Sequence, residues 1–72
     1  MNNLKSMIRL ALGRIGELGQ AAYEAHQETT RWRAEPLNDL EKTQLSLKVE
    51  YAVEEQKQWI KAIEEALEQE DE

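Results

Sequence analysis

From Leu4 to Trp32, small and apolar residues return at alternating steps of four and three: Leu4, Ile8, Ala11, Ile15, Leu18, Ala22, Ala25, Thr29, Trp32. This is the a/d seam of a coiled coil held through four heptads, a spacing that only an α-helix brings onto one face. No strand-like alternation competes with it. A rod with a single apolar stripe must lay that stripe against another helix. That requirement governs everything else the chain can do.

The pattern breaks at "RAEPLNDLE" (residues 33–41). Pro36 lacks the amide that a continuing helix needs and pushes Glu35 out of helical geometry. Asn38 can then cap a second helix, with Glu41 three residues on as the reciprocal half of a capping box. Pro36 as the first helical residue is the other available start. Asp39 and Glu41 suit the positive end of the new helix dipole. The second stripe runs Leu45, Val49, Ala52, Val53, Gln56, Trp59, Ile60, Ile63, Ala66, Leu67. The expectation is an all-α chain forming one domain, residues 1–72. Helix 1 is expected over about 3–33, a turn over 34–38, helix 2 over about 38–69, and a solvated acidic tail over 70–72. So short a turn folds two long helices into an antiparallel, coiled-coil-like hairpin.

Charge agrees with that arrangement. Residues 1–33 carry five Lys and Arg against three Glu, a net of +2; residues 34–72 carry four Lys against twelve Asp and Glu, a net of −8. Folding back would set Lys5 and Arg9 beside Glu64, Glu65, Glu68 and Glu70, although exposed pairs contribute only about 0–1 kcal/mol each. Gln56 interrupts the apolar stripe of helix 2. It either fixes register as a buried polar residue or sits at the stripe's edge.

All three glycines fall in one segment, at Gly13, Gly16 and Gly19. Each costs a helix interior roughly 1 kcal/mol relative to alanine. At about 100° per residue they spread over roughly 120° of helix surface, flanking the seam. The reading adopted here is helix packing: a slim helix 1 admits a neighbour's backbone or a bulky side chain such as Trp59 or Tyr51. The alternatives are a break into helices over residues 3–12 and 20–33, or a ligand loop. The G-x-x-G-x-x-G spacing is not a dinucleotide fingerprint and no strand precedes it. "GRIG" is similar to the G-x-x-G loop of KH nucleic-acid domains, but the β-sheet such loops need has no counterpart in the pattern.

Seventy-two residues without cysteine bury only roughly 60% of their extended surface and have no disulfide to compensate. Self-association is the remedy left. Leu40, Leu47 and Tyr51 lie off the main stripe of helix 2, so that helix is apolar on two sides. This predicts a homodimer, two hairpins forming a four-helix assembly. The outline is similar to that of Rop-type plasmid copy-number regulators, a likeness of fold alone.

The residues that carry chemistry elsewhere are sparse. His26 is the single histidine, and Glu24 and Glu28, two residues away on either side, point away from it on a helix. No catalytic residue, metal ligand or cofactor site is predicted, and the chain is expected not to be an enzyme. Arg31-Trp32-Arg33 pairs two guanidinium groups with an aromatic. Trp32 ends the seam and is expected to plug the closed end of the hairpin, with a partner-binding anchor and a nucleic-acid contact as the alternatives. The glutamates read mainly as a solvated face. No span of roughly 20 apolar residues and no secretion signal is visible, which predicts a cytoplasmic protein.

The function expected is a small non-enzymatic regulator, inhibitor or adaptor that binds another protein, in the style of those encoded by bacteriophages and mobile elements. Its partner-binding or dimer surface would be Leu40, Leu47, Tyr51 and Trp32 with Arg31 and Arg33. The alternatives are a nucleic-acid-binding regulator of Rop-like architecture, disfavoured by the net charge of −6, and a structural subunit of a phage assembly.

Overall fold

In a computed structural model the chain is described over residues 2–70, which form two helices: α1, Asn2–Thr30, and α2, Asp39–Glu70. They lie antiparallel as a rod of 57 × 15 × 12 Å, joined by residues 31–38. The helical hairpin expected from the seam is therefore present. Asp71 and Glu72, most of the expected acidic tail, lie outside the described residues.

The start of α2 follows the capping box closely. Glu41 N donates to Asn38 Oδ1 at 2.8 Å, Asn38 N donates to Glu41 Oε1 at 3.1 Å, and Lys42 N closes the first turn on the Asn38 carbonyl at 3.0 Å. Two amides that a helix start leaves without partners are satisfied by two side chains.

The end of α1 comes earlier than the periodicity implies, at Thr30 rather than residue 33. Arg31 N makes the last helical bond, to the Gln27 carbonyl at 2.9 Å. Thr29 Oγ1 donates to the His26 carbonyl at 2.6 Å, and Arg33 folds back so that its Nη2 donates to the Glu28 carbonyl at 3.1 Å. Arg33 thus takes up the Glu28 carbonyl that another helical turn would have used. Trp32 consequently never reaches the seam. It is 85% exposed, and its expected role as a core plug is corrected by the structure.

The core is thin. Ala11, Leu18, Ala25 and Ala52 are buried, and among the described residues no large side chain is fully buried. Ile8, Ile15, Val49, Trp59 and Ile63 flank them half-buried. Alanine on the seam lets two helices approach closely but covers little area. Val53, Ile60 and Leu67, which the pattern assigns to the main stripe of α2, lie on its exposed edge.

Gln56 is half-buried, and its Nε2 donates across the interface to the Ile15 carbonyl at 2.9 Å. A Cβ on Gly19 would stand 3.2 Å from that same nitrogen, so the missing side chain at residue 19 leaves room for this bond. Gly13 and Gly16 have nothing within 4 Å of a built Cβ, and α1 runs through all three glycines unbroken, with none at positive φ. Within one hairpin, α2 requires only Gly19.

This distinction is measurable. Gly13→Ala should stabilise the chain by about 0.5–1 kcal/mol through helix propensity alone. Gly19→Ala should gain less, because the Gln56 amide must yield, and the shortfall should vanish in a Gln56→Ala background. Urea unfolding of the four variants checks it; equal gains at both glycines would contradict the assigned contact.

Candidate functional site

One flank of the hairpin is held by a cross-helix ion pair. Arg14, one turn before the Leu18 layer, donates through Nε to Glu55 Oε2 at 2.8 Å and through Nη1 to Glu17 Oε2 at 3.2 Å. Trp59, one turn beyond Glu55 on α2, donates through Nε1 to Glu55 Oε2 at 3.1 Å. The guanidinium hydrogen bond, then the indole one, hold the Glu55 carboxyl below its usual range; the same carboxylate raises Arg14. Lys5 and Arg9 form no ion pair with Glu64, Glu65 or Glu68 among the described residues. The opposite charges of the two halves meet through Arg14 and Glu55 instead.

Above this clamp, toward the closed end, the same flank opens into a shallow groove of about 640 Å³ floored by Leu18, Ala21, Ala25, Leu45, Tyr51 and Ala52. It continues into a second hollow of about 450 Å³, where Leu37, Leu45, Leu47 and Tyr51 face Glu41, Gln44 and Lys48. The two share Glu28, Leu45, Lys48 and Tyr51. Apolar floor and charged rim are the ordinary anatomy of a surface that takes another macromolecule.

Tyr51 and Leu47 from the expected surface both line this groove. Arg31 and Arg33 converge on Glu28 at its edge, Arg31 Nη1 lying 3.5 Å from Glu28 Oε1 and Arg33 Nη2 on Glu28 Oε2. Leu40 and Trp32, 66% and 85% exposed, stand outside it. Trp59, expected to pack between helices, is half-buried. Leu37 was not legible as a site residue, since an apolar residue between a proline and a helix cap has no periodic neighbour. Glu55 reads in the sequence only as part of a solvated glutamate face, and no spacing pairs it with Arg14.

Among the described residues, no group of three or more His, Cys, Asp or Glu is placed to hold a metal, and no helix is long and apolar enough to cross a membrane. His26 is exposed, beside Thr29, Ser46 and Glu50 in a shallow hollow. Compared with known proteins, the chain matches no family model, no curated protein and no solved structure.

The Glu55 carboxyl gives the hairpin an acid dependence with a definite sign. Because folding lowers its pKa, the stabilisation is present above the ordinary glutamate value of about 4.3 and is lost as pH falls through the lowered one. Between about pH 5 and pH 2, wild type should therefore lose more thermal stability than Glu55→Gln. Melting followed by circular dichroism tests this, and parallel curves for the two proteins would contradict it.

Proposed function

We propose that the chain is a small non-enzymatic protein that binds and modulates another protein as a regulator, inhibitor or adaptor. It works in the cytoplasm as a coiled-coil-like homodimer. The observation that carries this reading is the groove at the closed end, where Leu37, Leu45, Leu47 and Tyr51 offer apolar surface inside a charged rim. A tyrosine among leucines, bordered by arginine, is the residue mix that anchors helical recognition surfaces. The thin core supports the homodimer, since a hairpin with four buried residues among those described gains most by covering more of itself.

The Rop-like nucleic-acid reading draws less support. Arg31 and Arg33 share the single Glu28 carboxylate, and Arg14 is held by Glu17 and Glu55, so these guanidinium groups are already engaged within the chain. An origin in a phage or mobile element accords with the small, acidic, cysteine-free chain.

Affinity capture from lysate of the cells that express the chain tests the proposal, with wild type compared against Tyr51→Ala and Leu47→Ala. A protein retained by wild type should be held at least about tenfold more weakly by Tyr51→Ala, the loss expected of an interfacial tyrosine anchor. Equal retention by all three would remove the groove as the binding surface.

A further inference from the structure

The flank opposite the groove carries a second set of exposed apolar residues, placed there by one shared hollow and the helical repeat. His26 of α1 and Ser46 of α2 line one shallow hollow there. Steps of seven from them lead to Gly19 beside Val53, then to Leu12 beside Ile60, and finally to Lys5 beside Leu67. The Arg14–Glu55 pair marks the other flank. Leu12 and Tyr23 are 57% exposed, Ile60 45% and Leu67 48%. Between Leu12 and Tyr23 lies Gly16, with nothing within 4 Å of a built Cβ.

The amount of exposed surface says what kind of cover this flank needs. The chain exposes 6055 Å², whereas a compact monomer of 8.4 kDa would expose about 4600 Å². The excess of roughly 1450 Å² per chain, taken over all its faces, exceeds the approximately 800 Å² per partner of a standard interface and falls within the obligate-homodimer range.

We infer that this flank, built on Leu12, Gly16, Tyr23, Val53, Ile60 and Leu67, is the docking face for a second copy, related by a two-fold axis along the rod. The inference rests on the homodimer reading above and gives it a face and a direction. With that axis, α1 of one copy lies antiparallel to α2 of the other at the same levels as within a chain. Gln56 reaches both Ile15 and Gly19, so facing residues have numbers adding to roughly 72, one residue per 1.5 Å along each rod. Gly16 then falls between the partner's Val53 and the partner's Ile60, which enter the space its missing side chain leaves. Arg9 falls level with the partner's Glu64, and Tyr23 with the partner's Glu50. Arg9 and Glu64, exposed and without ion pairs among the described residues, become complementary across the interface. Gly13 points away from this face, and the groove with Tyr51 stays open on the far flank for a different protein.

Sedimentation equilibrium on the full chain tests this, with circular dichroism to confirm helix content. Wild type should be a dimer at micromolar concentration. Gly16→Gln and Ile60→Asp should each weaken it by about tenfold or more, while Tyr51→Ala leaves it unchanged. Gly16→Gln is the decisive variant, since a Cβ at this position meets nothing within 4 Å in one chain. Arg9→Glu or Glu64→Arg alone should weaken the dimer, and the two together should restore it. A dimer indifferent to Gly16→Gln would overturn the face while leaving self-association standing. Failure of the double reversal to restore affinity would overturn the direction of the axis. A wild-type monomer would overturn both the homodimer reading and its face.

Discussion

The one interaction on which this molecule depends is the contact between the α1 and α2 seams. Each helix covers its apolar stripe with the other, and among the described residues the positions buried most deeply are three alanines and one leucine. Helices this slim come close together, which favours van der Waals contact, but each alanine removes little apolar area from water. Long rods in close contact with a narrow core are the result. The surplus of exposed leucine, isoleucine, valine and tyrosine on both flanks follows directly.

Because the apolar seam is uniform and narrow, polar contacts help specify how the helices align. A heptad seam of small residues could slide by one layer at modest cost. The Gln56 amide prevents this by finding the Ile15 carbonyl, and Gly19 leaves space for it. Arg14, Glu55 and Trp59 repeat the specification on the flank beside it. A buried polar side chain fixing register at some cost in stability is a well-attested use of such residues. The same register places Leu45, Leu47 and Tyr51 of α2 around one groove near the corner.

Much of this was legible in the residues. Steps of four and three named the buried positions of α1 from Ile8 to Ala25, and Pro36, Asn38 and Glu41 located the start of α2 to within a residue. The end of α1 was not legible. No glycine or proline stops it; α1 ends where Arg33 turns back onto the Glu28 carbonyl and carboxylate, while Thr29 and Thr30 bond carbonyls of the preceding turn. That is a competition between local hydrogen bonds which periodicity does not register, and it carried Trp32 away from the core. Val53, Ile60 and Leu67 were harder for another reason. One residue of rotation, about 100°, separates a helix's buried stripe from its edge, and a list of apolar residues does not say where the neighbour's coverage stops. The groove needed Leu37, whose position depends on the path of the whole corner.

The central claim is that the fold of one chain leaves its apolar surface under-covered, so that its stability is tied to association. The thermal midpoint measured across a hundredfold range of protein concentration, roughly from micromolar upward, tests this most directly. The account predicts that the midpoint climbs steadily with concentration, as mass action requires when folding and pairing are coupled. A midpoint that stays fixed over the whole range would show the lone hairpin to be self-sufficient and would contradict it.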